Sequence, residues 1–545
     1  MLKKLLALLL AVTMSATLLS GCGGPTQEED AAMSAGGQSQ GTETAGTISE
    51  ETKSTGDKTS ADNESTESTF NGGITEINVK FFNTASNLTE ADRIVEKVNA
   101  IAEAQIGVHA NIEWIEVGQW NQQISLALSS NEAIDLIHLT PLLQFNALTQ
   151  QNQLMDITDL LTEYAPGLTD KLSKTILSTT LDGKIYGLPL LRDIGGMTSI
   201  FMDKNILNEL DLVEKAENMS TWAEYEEILT AVKSAYPDLA PLYISLPANT
   251  GMIYNGFDAS GDTFAQSRPM EPLGDQYNLI DVDTETNTVV SWYESDDYAE
   301  VVERLADWYK KGLVYKDGAT SEEESASAMA NNICFSYITG GETDQKLKHS
   351  TNVGRELTVV KLCDQPVSGF LASMFGYAVP YSAAEPEAAV KFINLLYTNE
   401  EINNLLSLGE EGIDYVVADG MAKWPEGVTD MQGVGYHSAD FLYGNQFITL
   451  PWEGQGNDWR DIQNKAMAER EVSKYLGCTV DTSSVTNEIT ACYNAAQEFT
   501  SGLSTGNDPD WENSLEKFKA KLQASGIEKI IACYQEQLNA WLAGQ

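Results

Sequence analysis

The sequence predicts an α/β fold of at least two lobes, and three observations carry that prediction. Between residues 77 and 139, stretches of two-residue hydrophobic alternation take turns with stretches of helical spacing. Two further strand-then-helix passages follow, at Ser199 to Leu210 and at Phe375 to Tyr397. Residues 71–545 are also too many for one hydrophobic core, so the chain should divide.

Ile77, Val79 and Phe81 alternate with polar residues and predict a half-buried strand. Ile94, Val95, Val98 and Ile101 predict the next helix, with Thr89 and Asp92 resembling a capping box and Gly107 ending the pattern. Val108 to Ile115 alternates again, a helical segment runs from about Trp120 to Ser130, and Ile134 to Leu139 completes a β-α-β-α-β series. Such a series implies right-handed crossovers and a mainly parallel sheet covered on both faces. Its ligand edge lies beyond the carboxyl ends of the strands. That rule points to Asn83-Thr84, to Glu116 through Trp120, and to Thr140-Pro141.

Lys184 to Pro189 reads as a short extended run, and Ser199 to Lys204 as a fresh strand entering the helix Asn205 to Leu210. The chain is expected to cross between lobes here and to return at Phe375 to Pro380, before a helix from Glu385 to Tyr397. Toward the C-terminus, Asp508 is expected to cap a helix with Pro509 at its first position. Trp511, Leu515, Phe518 and Leu522 line one helical face, and Ile527, Ile530, Ile531, Tyr534, Leu538 and Trp541 continue at that spacing after Gly526. These stripes are packing faces.

The N-terminus reads as a lipoprotein export signal. Lys3 and Lys4 precede an apolar run from Leu5 to Leu18 that is too short to span a membrane, and Leu19-Ser20-Gly21-Cys22 follows. Residues 1–21 are therefore expected to be removed, leaving Cys22 to carry diacylglycerol on the extracellular face of the cytoplasmic membrane. Residues 22–70 hold Gly, Ser, Thr, Ala, Gln and acids with no aromatic before Phe70, and cannot bury enough apolar surface to order themselves. They read as a disordered acidic tether; no motif supports an interaction tail instead.

Net charge is −47, from 33 Lys+Arg against 80 Asp+Glu. That excess argues against nucleic acid and anionic-lipid surfaces as partners and fits a neutral or cationic small molecule. Besides Cys22 there are five cysteines, Cys334, Cys363, Cys478, Cys492 and Cys533, without CxxC spacing. An odd number allows at most two bridges, and buried free thiols are the favoured reading. Gly502-Leu503-Ser504-Thr505-Gly506 matches the nucleophile-elbow pattern, but that elbow needs a strand before the serine, and Asn487 to Phe499 reads as helix. His109, His138, His349 and His437 lie scattered without metal-ligand spacing.

Taken in order along the chain, these residues resemble the extracellular solute-binding proteins, family 1, of ATP-binding-cassette importers, which mostly bind sugars and oligosaccharides. The matching features are the lipobox and tether, the β-α-β-α-β opening and Asp182-Gly183-Lys184-Ile185-Tyr186-Gly187-Leu188-Pro189. Phe201-Met202-Asp203-Lys204, Ala378-Val379-Pro380, Pro386-Glu387-Ala388-Ala389 and Phe392-Ile393 add to them. Tyr443 through Phe447, Asp481-Thr482 and Gly526 through Ile530 resemble a subgroup with an uncharacterised C-terminal extension, found in oligosaccharide importers of Gram-positive bacteria. The resemblance implies a two-lobed, type II periplasmic-binding-protein-like α/β fold whose hinge closes the lobes over ligand. Residues 71–190 with 368–410 are expected in the first lobe, and 191–367 with 411–545 in the second. It further implies a monomer that delivers a saccharide to permease subunits, with no cofactor and no catalytic residue; no metal-ligating residue is assigned. A surface glycosidase or esterase and an adhesive lipoprotein are the rival functions.

A sugar offers hydroxyls to planar polar side chains and C–H faces to aromatic rings. Among the tryptophans in polar loops, Trp120, Trp424, Trp452 and Trp459 are candidates, as is Tyr254, with inter-lobe packing the other reading for each. Arg192-Asp193 should pass through the cleft; Arg192 either forks onto ligand hydroxyls or a carboxylate, or bridges to Asp193 or another acid. The expected ligand contacts are Asn83, Trp120, Thr140, Arg192, Asp193, Tyr254, Phe375, Tyr443, Asn445 and Trp452.

Overall fold

Two separate sheets organise the chain. The computed structural model describes residues 70–545, apart from residues 71, 85, 142, 144, 246–261, 265–270, 276 and 344. The export signal, Cys22, the tether before Phe70 and Tyr254 lie outside the described residues. The opening series is present as β1 (Thr75–Asn83), α1 (Ala91–Ile106), β2 (Val108–Glu116), α2 (Val117–Ser129) and β3 (Leu136–Leu139). β1 lies between β2 and β3 and is parallel to both, with Val79 beside Ile112 and Leu136. Ile77, Val79 and Phe81 are fully buried, as their alternation requires. Gly107 ends α1 with φ 68°, a left-handed cap that a glycine adopts without a Cβ clash. The capping box at Thr89 and Asp92 does not form: Asn87 Oδ1 accepts from Thr89 N and Oγ1 instead, and α1 starts at Ala91.

After α3 (Phe145–Gln150) and β4 (Leu188–Pro189), the chain enters the second sheet at β5 (Met197–Asp203). Asp203 caps the short helix that follows, accepting from Asn205 N at 2.9 Å. The second lobe continues through α4 (Trp222–Ala235), β6 (Ala240–Tyr243), β7 (Ile280–Asp283), β8 (Thr288–Ser291), α5 (Asp296–Lys310), β9 (Cys334–Gly341), α6 (Lys346–Val353) and β10 (Leu357–Asp364). Its sheet runs β10-β5-β9-β6 and is mostly antiparallel, since β5 meets both β9 and β10 in that sense. The mainly parallel expectation thus applies to the first sheet alone.

The return passes α7 (Gly369–Ser373) to β11 (Gly376–Ala378), which pairs antiparallel with β3 and β4, and then α8 (Pro386–Thr398) and α9 (Glu400–Leu408). The segment after α9 departs from the expected division. Tyr436, Leu442 and Tyr443 are buried in the first lobe's core, together with residues of β1, α8 and α9. The chain then runs through α10 (Trp459–Glu469) to α11 (Thr486–Leu503), α12 (Trp511–Ser525) and α13 (Ile527–Ala543). Leu515, Phe518, Leu522, Ile527, Ile530, Tyr534 and Leu538 pack with β7, β8 and Tyr298 of α5 in one core. α12 begins two residues later than expected, since Asp508 Oδ1 accepts from Asp510 N at 2.8 Å and makes a turn of Pro509. Ser504 follows a helix and not a strand, so the elbow context is absent. All five described cysteines are free thiols.

Candidate functional site

Three chain passages join the lobes: residues 190–196, residues 364–375 and the stretch around residues 444–473. Leu191 bridges Asn445, and Val367 bridges Val472. Gly195 and Gly196 have φ of 77° and 91°, and a Cβ on Gly195 would meet the Gly341 carbonyl at 3.1 Å, so this turn requires glycine. Asp193 is fully buried, and both carboxylate oxygens are occupied: Oδ1 accepts from Gly195 N at 3.1 Å and Oδ2 from Thr343 N at 2.7 Å. Its own N–H donates to Gln446 Oε1 at 2.9 Å. Asp193 therefore pins the hinge to the turn after β9 and does not offer itself to ligand.

In front of this hinge lies a cleft of about 880 Å³. Arg192, Met374, Phe375 and Phe441 line one side, and Tyr337, Thr339 to Glu342, Lys348 and His349 the other. The volume falls within the range that encloses small organic ligands. Arg192 lies 5.1 Å over the Phe375 ring and donates to the Asp193 carbonyl at 2.9 Å, with no acid in direct ion pairing among the described residues. Burial lowers its pKa to about 10, against the attraction of Glu342 and Asp193. Burial raises the Glu342 carboxyl, with Lys348 opposing. Tyr337 stacks on Phe201 at 5.3 Å, and its hydroxyl meets His349 Nδ1 at 2.7 Å. His349 Nε2 faces Gln345 Oε1 at 2.8 Å, so the proton sits on Nε2 and Nδ1 accepts from the tyrosine. Burial first and the Lys348 charge next lower His349 to about 4, which keeps it neutral.

The cleft wall thus offers rings for C–H faces, donors from Arg192 and Lys348, and an acceptor from Glu342. Of the expected contacts, Arg192 and Phe375 line it. The other described ones sit elsewhere, for identifiable reasons. Trp120 is not in a loop: it lies within α2, fully buried and edge-on to Phe82 at 5.5 Å. Tyr443 is buried against Trp114 and Ser438, whose side chains bond its hydroxyl at 3.0 and 2.9 Å. Asn445 holds the return passage, accepting from Phe447 N and donating to the Tyr397 carbonyl. Asn83 donates to Glu116 Oε1 at 2.6 Å, and Thr140 Oγ1 accepts from Leu143 N at 3.2 Å, so both strand ends close on themselves. Thr140 also lines a tight cavity of about 30 Å³ against residues 271–274 and 475–479. Trp452 packs edge-on to Trp424 at 4.5 Å, beside His437. Sequence reasoning missed Tyr337, Glu342, Lys348, His349 and Phe441. The short, mainly apolar run from Cys334 to Ile338 was the available signal, since the strand-end rule applied to it points at Gly340 to Glu342. Among the described residues no group of three His, Cys, Asp or Glu is placed to hold a metal.

Comparison with known proteins agrees with this architecture. Over 472 residues the chain is 23% identical to a carbohydrate ABC transporter substrate-binding protein of Streptococcus pneumoniae serotype 4, covering 85% of this chain and 91% of that one. The solved N-glycan transport solute-binding protein of Streptococcus pneumoniae superposes with a TM-score of 0.73 at 20% identity, over 86% of this chain and 99% of that one. An HMO-binding, ABC-transporter-associated solute-binding protein of Bifidobacterium longum infantis does so at 0.60 and 16% identity, over 86% and 99%. These relatives are substrate-binding proteins and not enzymes, and they share the two-lobed fold. Residues 474–543 match a domain of unknown function. Residues 96–410, more than half of the chain, match the family of bacterial extracellular solute-binding proteins, and the chain belongs to that family.

Proposed function

We propose that this chain is the lipid-anchored substrate-binding subunit of an ABC importer, capturing a saccharide by lobe closure and passing it to the permease. The observation that carries the reading is the hinge-side cleft, where Tyr337, Phe375 and Phe441 rings alternate with Arg192, Glu342 and Lys348. Such a surface matches the mixed polar and apolar faces of a sugar, and its volume suits an oligosaccharide. Ligand touching both walls favours the closed form only by its extra affinity for that form. The protein acts as a monomer, needs no cofactor, and returns its ligand uncleaved. Relatives named for carbohydrate and N-glycan transport support this reading.

A thermal-shift and scattering screen of the purified protein against mono- and oligosaccharides, peptides and polyamines tests it. A saccharide should raise the melting temperature in a concentration-dependent way and compact the molecule. Response to peptides or polyamines alone, or cleavage of the sugar supplied, overturns it. Cys22→Ala should release the protein from membranes, since the tether has no lipid affinity of its own; retention of the variant on membranes disproves the anchor.

A further inference from the structure

A second cavity of about 90 Å³ adjoins the cleft, and Glu342 and Lys348 line both. Its remaining walls come from opposite sides of the molecule. Leu347 stands beside Lys348 on α6 of the second lobe, whereas Gly454, Gln455 and Trp459 follow a segment anchored to the first. Leu450 N donates to Asn404 Oδ1 of α9 at 2.9 Å, and Trp452 packs with Leu408 at the end of that helix. The start of α10 is fixed by Arg460, whose Nη2 meets Asp440 Oδ2 at 2.6 Å and whose Nε donates to the Thr449 carbonyl.

Gly454 keeps the cavity open: its φ is 94°, and a Cβ there would come within 3.3 Å of Leu347. Leu347 is 37% exposed, an apolar side chain held at the rim without full cover. The Trp459 ring is 8% exposed, and its indole N–H has no acceptor among the described residues. An aliphatic group and an aromatic ring therefore line, with a carboxylate, an ammonium group and an amide, a space with room for several water molecules. That combination repeats the cleft's chemistry at smaller scale.

We infer that this cavity is a distal subsite for the terminal residue of an oligosaccharide whose other residues fill the main cleft. Glu342 and Lys348 then contact the sugars on both sides of one linkage, and the site prefers longer chains. The inference rests on the saccharide reading. It goes further by fixing which end of the cleft reads ligand length.

Calorimetry on the full-length protein with Man1GlcNAc against Man5GlcNAc, and with kestose against fructo-nystose, separates the two ideas. These sugars are the ones bound by solved relatives. The longer member of a bound pair should bind at least tenfold more tightly. Leu347→Glu, at a rim position that folding tolerates, should remove that advantage while leaving the shorter sugar within twofold. Trp459→Phe, which keeps the packing and deletes the N–H, should weaken the longer sugar alone. Equal losses for both lengths, or no loss in either variant, overturn the subsite while the saccharide reading stands. No binding of any of the four sugars by the parent protein overturns both.

Discussion

In the first lobe the carboxyl ends of the parallel strands are shut by their own side chains, Asn83 onto Glu116 and Thr140 onto the turn at Leu143. In the second lobe, β9 runs out through Thr339, Gly340 and Gly341 directly into the cleft, followed by Glu342. Two of the histidines, one buried and one half-buried, show the same contrast. His138 is stacked between Phe81 at 4.7 Å and Tyr377 at 5.0 Å and accepts from Phe82 N at 2.8 Å, entirely within the first core. His349 is held by Tyr337 and Gln345 in a wall that the cleft reaches. The first lobe spends its aromatic and polar groups on packing, and the second presents them. The rule that ligands gather at strand ends therefore holds here for one lobe more than for the other.

The contrast can be broken most forcefully at Trp120. Trp120→Ala should cost about 3–5 kcal/mol of stability by opening a cavity in the first core. Affinity per folded molecule should stay as it is; urea unfolding beside calorimetry measures both, and lost affinity with intact stability would move the site back to the first lobe. Phe375→Ala, where the first lobe's aromatics Phe375 and Phe441 reach the cleft, should cost about 2 kcal/mol or more of ligand affinity. Binding equal to the parent's would remove the hinge side from the site.

Acid sharpens the comparison further. Burial lowers His138 to about 3 from 6.5, so the unfolded chain takes up its proton first. The contribution is complete above pH 6.5 and is lost progressively as pH falls toward 3. Between pH 6.5 and 5 this one group should cost on the order of 2 kcal/mol. His349 and His437 act in the same direction. His138→Gln keeps an acceptor for Phe82 N, and its unfolding free energy should fall by about one proton's slope less over that range. An unchanged slope would mean that His138 is not neutral in the fold. The smallest effect is expected outside both lobes' cores. Lys529 is 69% exposed and pairs with Glu488 at 2.7 Å, and Lys529→Ala should change stability by no more than about 0.5 kcal/mol.

Local periodicity determined a good deal. The alternation of Ile77, Val79 and Phe81, the stripe from Ile94 to Val98, the stop at Gly107 and the face of Leu515, Phe518 and Leu522 each correspond to an element of the structure. Composition, through the net charge of −47, argued against nucleic-acid partners. Those features depend on residues close in sequence, where spacing and backbone conformation are directly coupled. Tertiary structure decided what depends on distant neighbours. Trp120 and Trp459 look alike in sequence, each a tryptophan among polar residues. One fell under Phe82, and the other came to lie across a small cavity from Leu347. Asp193 became a hinge pin because the turn carrying Thr343 N arrives 2.7 Å away from a position 150 residues along the chain. The antiparallel second sheet and the return of Tyr436 and Tyr443 to the first core are likewise pairings across long loops. No spacing rule reaches that far, since which faces meet is set by the packing of whole elements.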